Sequence, residues 1–232
     1  MNNTIICIGD PIQDIWITSA GSEKILPGGA WNVYTNLKYF TKNVLPIFPE
    51  ENWLAYYLKN NQKISSSVYD FYKPLSHNIK SSTIICSDYN KGFLNASTAK
   101  LDCDLLIVDT KYATISKSLL QNSKTKILKI TETDNYTKDF LNLFDYTIVT
   151  NADKNILLYK GSKPIESYSV PETEVKSTVG AGDVFLATLG YYLTQDIFLE
   201  LKDNLNYAIY KAIDCATQCI AYPYTSNLNY ME

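Results

Sequence analysis

Short apolar runs recur along the chain, and each closes on turn residues: TIICIG (4–9), STIICSD (82–88), LLIVDT (105–110), KILKIT (126–131) and YTIVTN (146–151). Runs of this length, β-branched and without polar alternation, predict strands buried on both faces. Such strands belong to parallel sheets covered by helices. Between and after them, segments 30–40, 51–60, 183–194 and 203–221 carry helical spacing. Pro49 and Glu50 stand where a helix start favours them. Residues 157–170 place Lys-Gly-Ser-Lys between two strand-like runs and predict a hairpin at one edge of the sheet. The expected architecture is α/β, a three-layer sandwich around a mostly parallel central sheet.

The 232 residues suit one domain spanning 1–232, and no repeat, linker or composition break divides them. A net charge of -3 with no long Lys/Arg block argues against a nucleic-acid partner or an anionic membrane. The start lacks a basic segment followed by a long apolar one, and no apolar stretch reaches bilayer length. The expectation is a cytoplasmic protein with reduced thiols among its five cysteines. One histidine and no Cys-x-x-Cys pair speak against a zinc site, and no protein metal ligands are assigned. Small-molecule chemistry remains.

In parallel α/β sheets, ligands bind beyond the carboxyl ends of the strands. The run STVGAGDVFLATLGYYL (177–193) is the sharpest candidate there. Gly180 and Gly182 let the backbone approach a ligand closely, and a helix starting near residue 182 would aim free amides and its positive end at an anion. Asp183, in the first turn, could accept a proton from a substrate hydroxyl while the amides of Gly180, Ala181 and Gly182 stabilise a phosphoryl group in transfer. Taken alone, the string is also what a tight loop ending in a helix-terminal carboxylate looks like.

The N-terminal part supplies matching groups. Asp10 and Asp14 follow the first strand, and Gly28 and Gly29 precede a helix carrying Asn32. A carboxylate, open backbone and an amide side chain around one cavity suit a polyhydroxylated substrate, whose hydroxyls both donate and accept. Each piece separately is also a turn or a cap.

Taken in order, GDPIQD (9–14), PGGAWNV (27–33), SDYNKG (87–92), VDTK (108–111), VGAGD (179–183) and YTSN (224–227) resemble the ribokinase-like (PfkB) carbohydrate kinases over nearly the whole chain. The string SDYNKG points within that family towards the heptose-7-phosphate kinases (D-glycero-beta-D-manno-heptose 7-phosphate). The resemblance implies a sugar or sugar-phosphate kinase using ATP and Mg2+, with Asp183 as general base and residues 180–182 as the anion hole. It further implies Asp14, Gly29 and Asn32 on the sugar, and Lys91 and Lys111 towards phosphate groups. Thr150 and Asn155 would stand beside the nucleotide, and the chain would be a monomer or homodimer.

The chain departs from the family pattern in places. Ser177 and Val179 replace the usual Asp and Thr before the glycine turn, Asn155 replaces a glycine, and TETDNY (131–136) holds Glu132, Asp134 and Asn135 out of register with the usual Asn-x-x-Glu. Only residues 15–26 separate Asp14 from the double glycine, so the lid is expected to be one small hairpin or absent. A kinase fold that binds a sugar phosphate or nucleotide without efficient turnover is therefore a second expectation. A kinase for another acceptor, such as a nucleoside, a vitamin precursor or a hexose, is a third.

Overall fold

The computed structural model describes residues 4–50, 53–67, 72–113, 115–133, 135–151, 155–195 and 200–230. In chain order, strands β1 (Ile5–Gly9), β2 (Pro11–Ile17) and β3 (Glu23–Gly28) lead into helix α1 (Gly29–Phe40). Strands β4 (Val44–Ile47), β5 (Leu54–Lys59), β6 (Gln62–Ser66), β7 (Ile79–Lys80), β8 (Thr83–Asp88), β9 (Leu101–Thr110) and β10 (Asn122–Ile130) follow. A short helix α2 (Lys138–Leu141) precedes β11 (Tyr146–Val149), β12 (Ile156–Lys160) and β13 (Lys163–Tyr168). Helices α3 (Ala181–Leu193) and α4 (Leu201–Ile220) complete the set.

These elements form two compact units. The first comprises Met1–Gly9, Asn43–Ile47 and Phe71–Pro171; the second comprises Asp10–Lys42, Phe48–Asp70 and Glu172–Glu232.

The first unit holds the large sheet, in the order β13-β12-β11-β10-β9-β8-β1-β4, with β7 also pairing with β9. Pairing is parallel from β4 to β11, and β12 and β13 add antiparallel. All five apolar runs are strands of this sheet. Every residue of β8 is buried, as is the carboxyl half of β9, which is why no polar alternation marks those runs. Ile8, Ile84, Leu106, Val108, Leu128 and Ile130 share one core. Each such side chain contributes about 1.5–3 kcal/mol by leaving water. The expected edge hairpin is present: Lys160 pairs with Lys163 across Gly161 and Ser162.

The second unit holds a smaller sheet, ordered β3-β2-β5-β6, and helices α1, α3 and α4. Apolar residues fill α3, and it is buried from Asp183 to Gly190, whereas α4 buries one face through Leu205, Ala208, Ile209, Ala212 and Ile213. No helix among the described residues is long and apolar enough to cross a membrane.

Two expectations change here. Residues 51–60 do not form a helix: 51–52 lie outside the described residues, and Leu54–Lys59 is strand β5, parallel to β2. Trp53, Leu54, Tyr57 and Leu58 mimic helical spacing, yet the run is short and aromatic, and pairing with β2 decides it. The single small hairpin expected from residues 15–26 is present as β2 and β3, but it is only half of a four-stranded sheet that β5 and β6 complete.

Candidate functional site

The chain enters α3 through Gly180, whose φ of 81° and ψ of -6° lie in the left-handed region that only glycine adopts without strain. The position is also sterically closed. A Cβ there would sit 2.7 Å from Asn32 Nδ2, 2.8 Å from Thr225 Cγ2 and 2.9 Å from the Ser226 carbonyl oxygen. Of the first amides of α3, that of Ala181 donates to the Thr178 oxygen at 3.2 Å and that of Asp183 to the Gly180 oxygen at 3.0 Å. The Gly180 and Gly182 amides donate to no backbone oxygen among the described residues. Two amides thus remain for an anion, and the third expected member, Ala181, is engaged in the turn.

Asp183 lies in the first turn of α3 and is buried. Its Oδ2 accepts a 3.1 Å hydrogen bond from Asn32 Nδ2. Asn32 lies on α1, and the same nitrogen donates to the Ser226 carbonyl at 3.1 Å. Asn32 Oδ1 accepts from Asn227 Nδ2 at 2.7 Å and from Asn36 Nδ2 at 3.1 Å. Asn36 Oδ1 in turn accepts from the Leu228 amide at 2.7 Å. The segment 225–228 is laced to α1 and sits against the entry of α3.

Asp14 follows the first strand, as expected, and sits inside β2 in register with Leu26. Its Oδ2 accepts from Thr225 Oγ1 at 2.9 Å. Burial pushes the Asp14 carboxyl up to about 7; the Thr225 hydrogen bond pulls the other way, and the charge of Asp183 adds to the rise. Mutual repulsion of these two carboxylates means that they share one electrostatic environment. Gly28 closes the other side, because a Cβ there would lie 2.7 Å from the Asp14 carboxyl carbon and both its oxygens. Gly29 opens α1, and the following Ala30 amide donates to the Asp10 carbonyl at 3.0 Å. Asp10 itself is fully buried. The second unit therefore gathers Asp10, Asp14, Gly28, Gly29, Asn32 and residues 180–183 around one set of contacts.

Thr225, Ser226 and Asn227 are part of this cluster, although no role follows for them from the sequence. Their only signal is the YTSN string after the last helix. The Ser226 hydroxyl is buried and has no partner among the described residues.

The remaining predicted residues belong to the first unit. Asp88, at the end of β8, accepts from the Asn90 amide at 2.9 Å and from Thr110 Oγ1 at 2.9 Å, forming the turn that carries Lys91. Lys111 follows β9; its Nζ stands 3.7 Å from Asp109 Oδ2 and 4.9 Å from the centre of the Tyr89 ring. Asp109 also binds Lys129 Nζ at 2.9 Å, and both side chains are only 2% exposed. Burial alone would raise the Asp109 carboxyl, but the charges of Lys111 and Lys129 outweigh it and hold the group below its ordinary range. Thr150 Oγ1 donates to the Ile130 carbonyl at 3.3 Å, and Asn155 is exposed. Residues 152–154 between them, and Asp134, lie outside the described residues. Ser177 is buried and accepts from the Val179 amide at 3.3 Å. Among the described residues no group of three or more His, Cys, Asp or Glu could hold a metal ion.

No family model matches the chain, and no curated protein matches it in sequence. Solved structures do match it in shape. Ribokinase from Thermotoga maritima superimposes with a TM-score of 0.61 at 14% identity, over 96% of this chain and 94% of that one. Fructokinase from Vibrio cholerae, a double mutant bound to fructose, ADP and potassium, gives 0.62 at 11% identity, over 99% and 97%.

The fold is ribokinase-like.

Aminoimidazole riboside kinase from Salmonella enterica, solved with its riboside and an ATP analogue, matches at a TM-score of 0.60 and 15% identity, over 95% and 94%. At such identities the likeness is one of fold. What this ribokinase-like chain does with the fold rests on its own residues.

Proposed function

We propose that this chain is a phosphotransferase that moves the terminal phosphoryl group of ATP to a hydroxyl of a sugar or sugar phosphate. One observation carries the reading: Asp183 and Asp14 meet in one buried cluster at the glycine entry of α3. The neighbours of known shape, which are kinases by name, support it by analogy.

In this reading Asp183 takes the proton of the attacking hydroxyl. The Gly180 and Gly182 amides, with the positive end of α3, stabilise the charge on the phosphoryl oxygens. Asp14 receives a second hydroxyl of the sugar, and its near-neutral titration lets it accept or donate. ATP supplies the phosphoryl group. Magnesium would come bound to the phosphates of ATP, because this ion is usually held by substrate phosphates and few protein groups, and no step is assigned to it. For the residues of the first unit, the family resemblance alone suggests Lys111, Thr150 and Asn155 for the nucleotide and Lys91 for a phosphate of the acceptor. The SDYNKG turn favours a heptose 7-phosphate as that acceptor, phosphorylated at its anomeric hydroxyl.

A specific observation favours a second reading. Where the family carries a carboxylate and a hydroxyl before the glycine turn, this chain has the buried Ser177 and the half-buried Val179. A protein that binds a sugar phosphate or nucleotide with little turnover would have that character.

A transfer assay with labelled ATP against ribose, fructose, a nucleoside and heptose 7-phosphate, paired with a thermal-shift screen of the same compounds, separates the two. Product formation that falls by about 100-fold or more in Asp183→Asn supports the kinase. Stabilisation by ligand without product supports the binding protein. Wild-type turnover in Asp183→Asn removes the assigned base.

A further inference from the structure

A primary amide offers two donors and two acceptor sites, and a buried one must place all four. Asn32 places all four within the protein. Nδ2 donates to Asp183 Oδ2 and to the Ser226 carbonyl, while Oδ1 accepts from the amide nitrogens of Asn227 and Asn36. The orientation is unambiguous. A carboxylate and a carbonyl can only accept, whereas both asparagine nitrogens can only donate, so exchanging the two ends of the amide would turn four good contacts into four repulsive ones. Asn32 is fully buried, and a sugar hydroxyl could engage it only by breaking one of these bonds and orphaning its partner, at a cost of about 1–3 kcal/mol.

Its partners show what it does instead. One donor goes to the carboxylate assigned as base, and that bond both favours the ionised form and fixes the direction of its oxygens. Of the other three bonds, two tie α1 to Ser226 and Asn227, and the third runs within α1 to Asn36, which continues the ladder to the Leu228 amide. Asn227 Nδ2 donates further to Thr35 Oγ1 at 2.9 Å, which itself donates to the Asn32 carbonyl at 3.0 Å. Asp14 is a like-charged neighbour of Asp183 in this cluster, and the hydrogen bond from Asn32 opposes that repulsion.

We infer that Asn32 is a positioning residue, holding Asp183 and latching residues 225–228 onto α1, and that it does not touch the acceptor sugar. The inference rests on the proposed role of Asp183.

The decisive experiment reads the Asp183 carboxyl directly, by carbon-13 NMR titration of wild type and Asn32→Ala, with Asp183→Asn and Asp14→Asn used to assign the signals. The Asp183 midpoint is expected to rise in Asn32→Ala; an unchanged midpoint overturns the inference. Should that variant not fold, Asn227→Ala removes one donor to Asn32 Oδ1 and is expected to move the midpoint the same way by less; no movement there also overturns it. In the transfer assay, Asn32→Ala is expected to lower kcat by about 10-fold with the acceptor KM within about 2-fold. A KM increase at unchanged kcat makes Asn32 a sugar ligand instead. If no acceptor is turned over, the kinase reading fails while the titration still decides whether Asn32 holds Asp183.

Discussion

Trp16 and Thr225, 209 positions apart in the chain, are joined by a 2.8 Å hydrogen bond from the indole Nε1 to the threonine Oγ1. An indole N–H can only donate, so the Thr225 hydroxyl must turn its own proton to Asp14 Oδ2, 2.9 Å away. The relay aims a buried donor at a buried carboxylate and keeps its ionised form accessible. Tyr224 adjoins Trp16 edge-on, with ring centres 5.4 Å apart, and closes the relay from the apolar side.

Thr225→Val keeps the shape and removes the hydroxyl. Asp14 then loses the one contact that lowers its titration and is expected to protonate at a higher pH than wild type. In the transfer assay at neutral pH the acceptor KM should rise by about 10-fold. Carboxyl NMR and steady-state kinetics check the two effects separately.

Asp14 also makes stability depend on pH. Its carboxyl titrates at about 7 in the folded chain, against 3.8 as its ordinary value. Between those values the folded protein holds a proton that the unfolded chain has released. The contribution is full below the lower value and is lost as pH rises through the upper one. Asp14→Asn retains an acceptor for Thr225 and abolishes the titration. Its Tm should exceed that of wild type by about 5 °C at about pH 8 and converge with it near about pH 4. Calorimetry across that range checks the sign.

Gly180→Ala introduces left-handed strain and drives a methyl group against Asn32, Thr225 and the Ser226 carbonyl. Backbone oxygen cannot rotate away, so the entry of α3 must shift. The expected loss is about 3 kcal/mol, with transfer activity abolished. Chemical denaturation gives the first and the labelled-ATP assay the second.

In the first unit, Lys129→Met strands the buried Asp109 with only Lys111, 3.7 Å away and partly exposed, for compensation. The cost should be about 3 kcal/mol. Adding Asp109→Asn removes the uncompensated charge and should recover part of it. Urea unfolding of the single and double variants measures both.

Strands β1, β8, β9, β10 and β11 of the large sheet were legible because each carries an apolar run, whereas β4 and β7, four and two residues long, were too short to stand out. Helices α1, α3 and α4 were legible because their apolar spacing is long enough to be unambiguous. Strand β5 was misread, although a signal for it stood beside it. Asn60 and Asn61 both adopt positive φ, 50° and 63°, in a two-residue turn joining Lys59 to Gln62. Asparagine tolerates positive φ, so an Asn-Asn pair after such a run is compatible with a two-residue hairpin turn. The glycine turn and Asp183 were legible as local chemistry. The partnership of Asn32 with Ser226 and Asn227 was not, since it joins residues almost two hundred positions apart, and no local pattern in one sequence encodes such a distance. The engagement of the Ala181 amide by Thr178 was equally hidden, being a matter of turn geometry rather than residue type.

Because Met1–Gly9, Asn43–Ile47 and Phe71–Pro171 make one body while the intervening stretches make the other, no contiguous fragment carries either whole. Neither half can be excised, swapped or fused by a single genetic cut, so engineering a new specificity here means altering side chains and loops in place.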